Sequence, residues 1–274
     1  MVKIGIIQLS SGDDKIANVA RAAEKVKKCA QEGAEIVVLP EIFNGPYSTA
    51  KFREYSEPEG GETWKKLSNM AKENNVILIG GSISEYCEDK IYNTSYIFDQ
   101  QGNQIGKHRK MHMFDIDVKG GQRFKESDAL TPGNQVTVVD TSICKIGVCI
   151  CFDFRFPELA RLMVLKGAKM IFVPGAFNMT TGPAHWELLF RQRAVDNQVF
   201  TVGCAPARNT EASYVSFANS IVVGPWGDVI YNAGIEEKAE VIEIDLDKVD
   251  SIRQQLPLLS ARRTDVYEMK ETNE

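Results

Sequence analysis

Three residues in this chain follow apolar runs and carry complementary chemistry. Glu41 closes EIVVLPE (35–41), Lys110 closes QIGKHRK (104–110) and Cys151 closes KIGVCIC (145–151). A thiol, a carboxylate and an ammonium together suit attack of sulfur on an uncharged carbonyl or nitrile carbon. The carboxylate takes the thiol proton, while the ammonium lowers the thiol pKa and stabilises the oxygen on which negative charge develops. Each residue alone has an ordinary explanation. A Glu or Lys at a strand end is a solvated edge, and a cysteine in an apolar strand is a buried, inert hydrophobe. Cys149, two residues back, also competes with Cys151 as the nucleophile. Placement decides for a common site: all three follow strands, and strand ends gather at the carboxyl edge of an open α/β sheet.

The elements that would position them alternate. Lys3–Gln8 reads as a strand, and residues 14–32 place Ile16, Val19, Ala20, Ala23, Val26 and Ala30 at helical spacing. Glu35–Pro40 is a buried strand ahead of Glu41, and a helix around 62–74 leads into Val76–Gly81. Strands at 91–99 and 104–110 flank a turn at Gln101-Gly102-Asn103. Residues 112–133 read as a polar loop. The alternation then resumes with strands at 135–140 and 145–151, a helix at 157–167 opened by Pro157, a strand at 169–174, a helix at 184–197 and a strand at 199–205. Further strands are expected at 214–223, 228–231 and 239–245, with a short helix at 247–255. The pattern is that of an α/β fold with βαβ units. No linker or composition shift interrupts it, so residues 1–274 read as a single domain with a polar C-terminal arm from about 256.

Composition narrows the function. The 274 residues are 43% hydrophobic and 25% charged, which suits a globular protein with a full core. A net charge of −5 argues against nucleic acid as a partner. MVKIGIIQLS is too short for a signal peptide, and no run approaches the roughly 18 apolar residues of a membrane span. The reading is a cytoplasmic protein with no membrane partner. The six cysteines are scattered through apolar segments, so reduced thiols are expected rather than a disulfide framework.

LPEIF (39–43), GKHRKMHMF (106–114) and CFDFRFPEL (151–159) resemble, in order, the three signature blocks of the nitrilase superfamily of carbon–nitrogen hydrolases. The resemblance runs from GIIQ near the start to RQQLP near the end. It implies a four-layer α-β-β-α sandwich and a Glu–Lys–Cys triad needing no cofactor. Glu41 is then the general base, Lys110 the oxyanion stabiliser and Cys151 the nucleophile. Glu126 matches a second glutamate that orients the site, and the Phe152 backbone N–H shares the oxyanion. Within the superfamily, residues 175–200 look most like the ω-amidase branch, which acts on the terminal amide of α-ketoglutaramate and α-ketosuccinamate. PARN (206–209), ASYV (212–215) and IRQQLP (252–257) support the same branch. That likeness implies an acid pocket lined by Arg155, Phe177 and Thr181, a small-molecule amide as substrate, and a homodimer or higher homo-oligomer. The sequence departs from relatives at His108, where Tyr is frequent, and at Met111 and Met113, where smaller aliphatic residues stand.

Other readings compete. Arg155 could simply pair with Asp153 or Glu158. Cys144, Cys149, Cys151, His108 and His112 are soft ligands, but structural zinc favours closely spaced Cys pairs on turns, so no metal is expected. Lys107-His108-Arg109-Lys110 is too short a basic run for nucleic acid in an acidic chain. His185 could serve a cysteine protease as base, although its place at a helix start beside Trp186 suits packing or capping better. Another amidase branch, acting on N-carbamoyl amines or deaminated glutathione, remains open, as does a silent binding scaffold.

Overall fold

The computed structural model describes residues 1–272. Its first half contains β1 (Val2–Gln8), α1 (Lys15–Gln31), β2 (Ile36–Val38), a single turn α2 (Phe52–Tyr55), α3 (Glu62–Asn74), β3 (Ile77–Ile79), β4 (Ile83–Cys87), β5 (Lys90–Phe98) and β6 (Gln104–Arg109). A small hairpin follows, β7 (Asp115–Asp117) and β8 (Arg123–Lys125). The second half contains β9 (Thr137–Asp140), β10 (Lys145–Val148), α4 (Pro157–Leu165), β11 (Met170–Pro174), α5 (Gly182–Asn197) and β12 (Phe200–Cys204). It ends with β13 (Ile221–Val223), β14 (Val229–Asn232), β15 (Lys238–Ile244) and α6 (Asp247–Gln255).

Two mixed sheets carry the chain. One runs β15-β1-β2-β3-β5-β4, with β6 also paired to β5, and the other runs β14-β13-β12-β11-β10-β9. Alternation within each strand explains why they stack. On β2, Ile36 and Val38 face the second sheet while Val37 faces the helices, so the strand needs apolar residues at every position. Ile4, Ile36 and Ile77 of the first sheet interleave with Ile146, Phe172, Phe200 and Val202 of the second. α1 and α3 cover the outer face of the first sheet, α1 through Val19, Ala22, Val26 and Cys29. α4 and α5 cover the second through Met163, Trp186 and Phe190. The result is the four-layer α-β-β-α sandwich.

Strand direction sets where the site falls. β1, β2 and β3 are parallel, β5 is antiparallel to β3, and β6 is antiparallel to β5, so β2 and β6 end at the same edge. β10, β11 and β12 are likewise parallel and share an edge in the second sheet.

Several boundaries differ from expectation. The strand expected at 145–151 stops at Val148, because Cys151 takes a left-handed backbone (φ 49°) and opens a 3₁₀ turn, Cys151–Arg155. The strand expected at 214–223 is only Ile221–Val223; Ala218 and Asn219 are left-handed (φ 60° and 62°) and break the extended run. The polar stretch 112–133 holds the β7–β8 hairpin and a 3₁₀ turn at Glu126–Asp128. α2 and β4 have no counterpart in the sequence reading. The arm beyond 256 lies against its own chain: Gln198 donates to the Leu256 carbonyl at 2.5 Å, and Glu271 pairs with Lys166 after α4. Among the described residues, no helix is long and apolar enough to cross a membrane.

Candidate active site

Glu41 sits three residues beyond β2 on a bend that ordinary residues resist. Ile42 is left-handed at φ 48°, a strained state for a β-branched side chain, and its N–H is held by Ser82 Oγ at 3.0 Å. Gly81 packs directly beneath: a Cβ there would come 2.2 Å from the Pro40 carbonyl, and its own φ is +58°. Lys110 follows β6 and is locked through its backbone. Its N–H donates to Asn93 O at 2.8 Å, and its carbonyl accepts from Gly133 N at 2.8 Å. Cys151 is the first residue of the 3₁₀ turn after β10. Gly175, just past β11, leaves room there; a Cβ would come within 3.3 Å of Cys151 Cα.

These three strand ends meet in a buried ionic cluster. Lys110 Nζ lies 3.1 Å from Glu41 Oε1 and 2.8 Å from Glu126 Oε2, with all three side chains fully buried. Glu41 Oε1 also accepts from Asn93 Nδ2 at 2.9 Å, and Oε2 accepts from the Ala176 amide at 2.7 Å. Tyr47 donates to Glu126 Oε1 at 2.9 Å and stands 3.3 Å from Glu41 Oε1. The Cys151 thiol and Glu41 are close enough for each to influence the other's ionisation. Glu126 is anchored in turn by the Phe114 amide at 2.8 Å.

Burial pushes the Glu41 carboxyl above its ordinary value; Lys110 opposes the rise and the Glu126 charge adds to it. The Cys151 thiol is raised well above its ordinary value by burial and by Glu41, with Lys110 opposing. Burial works against the charge on Lys110, and Glu126 and Glu41 more than offset it, so the ammonium is held firmly protonated. Burial thus favours the neutral form of the thiol, while Lys110 favours the charged form of the carboxyl beside it. Cys149 is also buried with a raised pKa, mainly from burial and next from the Asp153 charge.

A second carboxylate joins the lysine strand to the cysteine turn. Asp153 Oδ1 accepts from the Met111 and His112 amides at 3.0 and 2.8 Å and from His112 Nδ1 at 2.8 Å. Its Oδ2 accepts from the Ile150 amide at 3.1 Å and lies 2.9 Å from Nε2 of the fully buried His108. Despite burial, His108 and His112 hold the Asp153 carboxyl far below its ordinary value. The two histidines thus converge on a carboxylate rather than on a metal with Cys149 and Cys151. Among the described residues, no group of three or more His, Cys, Asp or Glu is arranged to hold a metal ion.

Arg155, at the end of the same turn, pairs with neither Asp153 nor Glu158. Its guanidinium lies over the Phe177 ring at 4.5 Å and near the Phe152 ring at 5.5 Å. Nη1 is 3.1 Å from His185 Nδ1, and the buried Nε has no partner. Among the described residues, no carboxylate reaches ion-pair distance, and burial lowers the Arg155 pKa. Thr181 is tied into its own loop, its hydroxyl donating to Asn178 Oδ1 at 3.0 Å. Tyr47, Phe124 and Tyr214 form an aromatic wall, and Tyr214 donates to the Ala176 carbonyl at 2.5 Å. A solvent-reaching cavity of about 70 Å³ ends on Glu41, Tyr47, Ala176 and Tyr214.

Residues 3–254 match the family model described as carbon-nitrogen hydrolase. The chain belongs to this family. It is 49% identical over 269 residues to "Omega-amidase NIT2" of Xenopus tropicalis, covering 98% of both chains. The omega-amidase NIT2 of Homo sapiens is 48% identical over 270 residues, again with 98% of each chain covered. The crystal structure of Saccharomyces cerevisiae Nit3, a member of branch 10 of the nitrilase superfamily, superposes with a TM-score of 0.88 at 45% identity, covering 96% of each chain.

Sequence reasoning missed Tyr47, Asn93, Asp153 and Tyr214. Asn93 lies mid-strand and Tyr214 inside an expected strand, so neither carried a signal. Asp153, two residues from the cysteine, did carry one, and His108 proves to be its buried partner. We expect Asp153→Ala to cost about 3–5 kcal/mol in urea unfolding, since buried amide and imidazole donors lose their acceptor. A loss under ~1 kcal/mol would make the link between the two segments dispensable.

Proposed function

We propose that this protein is an ω-amidase: it removes the terminal amide nitrogen of α-keto acid amides such as α-ketoglutaramate and α-ketosuccinamate as ammonia, through a cysteine thioester. The observation that carries this reading is Arg155, a half-buried cation in the Cys151 turn with aromatic faces, an imidazole and, among the described residues, no carboxylate at ion-pair distance. A guanidinium removed from water without a counter-ion is costly, and a substrate carboxylate supplies that ion with charge-assisted hydrogen bonds. Phe177 supports the guanidinium from below. Thr181 becomes a second contact by turning its hydroxyl from Asn178 toward the carboxylate. The relatives named omega-amidase support the same reading across the full chain.

With the distal carboxylate on Arg155, the amide carbon lies over Cys151. Sulfur forms its bond to that carbon while Glu41 takes the thiol proton, since burial disfavours a free thiolate. The oxyanion sits between Lys110 Nζ and the Phe152 N–H. The carbon–nitrogen bond then breaks, and Glu41 returns the proton to the departing ammonia. Water next attacks the thioester, giving a proton to Glu41; the carbon–sulfur bond breaks and the thiol regains that proton. Glu126 and Tyr47 hold Lys110 and Glu41 in register throughout. Every step uses the chain's own groups.

Ammonia release from α-ketoglutaramate tests the assignment. Wild-type protein should turn it over, Cys151→Ala should abolish turnover, and Cys149→Ala should retain much of it. No release by the wild type, with turnover of N-carbamoyl amines or deaminated glutathione instead, would keep the chemistry and reject the substrate. Equal loss in both cysteine variants would reject Cys151 as the particular nucleophile.

The pH profile follows from Glu41. Its folded-state pKa is raised, so the active carboxylate is lost as pH falls through that raised value. The acidic limb of kcat/KM should therefore lie above 4.5, the ordinary glutamate value. A limb at or below 4.5 would take Glu41 out of the base role.

We also propose that the protein is a homodimer. α5 carries apolar residues on more than one face, leaving Leu188 61% exposed and Val195 40% exposed, and Leu165 of α4 is also 40% exposed. Sedimentation should give about twice the chain mass, and Leu188→Glu should shift it toward the monomer; a monomeric wild type would end this proposal. Four of the six unpaired cysteines are buried, and free thiols suit a reducing compartment such as the cytoplasm.

A further inference from the structure

His185 is left unused by the mechanism above, yet it makes the side-chain hydrogen bond that fixes the Arg155 guanidinium. Arg155 Nη1 and His185 Nδ1 are 3.1 Å apart. Since a guanidinium can only donate, Nδ1 must be the acceptor, and the imidazole must carry its proton on Nε2. The same helix holds the other end of Arg155: Arg193 Nη2 donates to the Arg155 carbonyl at 2.9 Å. His185 and Arg193 are eight residues apart on α5, about 12 Å along its axis. α5 therefore grips Arg155 at backbone and tip, and Trp186 anchors that part of the helix by donating to the Asn219 carbonyl at 2.7 Å.

We propose that His185 is the positioning residue for the carboxylate anchor and sets the enzyme's preference for anionic over neutral amides. The inference rests on Arg155 being that anchor. The residue type matters as much as its place. A carboxylate at 185 would hold the guanidinium but neutralise it, competing with the substrate. An apolar residue would leave the long side chain free among its rotamers, to be ordered on each binding event. A neutral imidazole accepts one N–H, orients the guanidinium plane over Phe177, and leaves its full positive charge for the ligand. Nη2 and the unpartnered Nε remain as donors, the fork that matches a carboxylate.

The measurement compares kcat/KM for α-ketoglutaramate with kcat/KM for pentanamide, a neutral amide of the same chain length, and takes the ratio. His185→Leu should lower this ratio about tenfold or more, the size of a hydrogen bond to a charged group, mainly through KM for the anionic substrate. His185→Gln, which keeps an acceptor, should restore most of the ratio, while His185→Glu should lower it as His185→Leu does or further. Near-ultraviolet circular dichroism of each variant separates misfolding from mispositioning, and the Gln variant keeps the test open if Leu fails to fold. An unchanged ratio in His185→Leu, or no rescue by Gln, would overturn the proposal. Arg155→Met separates this from failure of the anchor itself. A collapsed ratio in Arg155→Met with an intact ratio in His185→Leu rejects His185 alone, and an intact ratio in Arg155→Met rejects the Arg155 reading.

Discussion

Everything in this site is arranged around one buried cation. Lys110 Nζ is fully enclosed between Glu41 and Glu126, and a lone ammonium in that position would lose its proton or unfold the chain around it. Two carboxylates keep it charged, at the cost of placing two negative groups in one pocket. That cost is spread over fixed donors: Asn93, Tyr47 and the Ala176 and Phe114 amides each bind a carboxylate oxygen. The same donors that make the cluster tolerable hold Glu41 against the Cys151 thiol. Stability of the buried charges and orientation of the base are one arrangement.

The two-sheet architecture supplies this arrangement because its parts come from both layers. Glu41, Asn93 and Lys110 belong to the first sheet, while Cys151 and Ala176 leave the ends of β10 and β11 in the second. The seam between them is closed by Asp153, which takes amides from the lysine segment and from the cysteine turn on one carboxylate. Backbone strain marks this seam: Ile42 and Cys151 are both left-handed, and each turns the chain from a strand into the site. Packing of Ile36, Val38, Val148 and Phe172 behind them holds the strained turns in place.

Much of the fold was legible from apolar spacing. The runs at 35–40, 76–81 and 169–174 are apolar at consecutive positions because each strand is covered on both faces, and 14–32 has the stripe of a helix covered on one. The misreadings share a cause. Residues 149–151 and 214–220 have strand-forming composition, but a left-handed Cys151 follows the early end of one strand, and left-handed Ala218 and Asn219 delay the start of the other. Such turns are stabilised by partners far away in sequence, as Ser220 is by Gln8 at 2.8 Å, so no local pattern announces them. The β7–β8 hairpin is three residues per strand and mostly exposed, too short to show a period.

The sequence by itself determined the kinds of group available, their order, and that Glu41, Lys110 and Cys151 each follow a strand. Strand ends and residue chemistry are local properties, and local properties are written in local sequence. Only the tertiary structure decided which groups share a proton or a charge. Asp153 was a possible partner of Arg155 and proved to be the acceptor for His108 and His112; His185 was a packing residue and proved to face Arg155. Charge interactions depend on distance and burial, and both are set by how the two sheets stack.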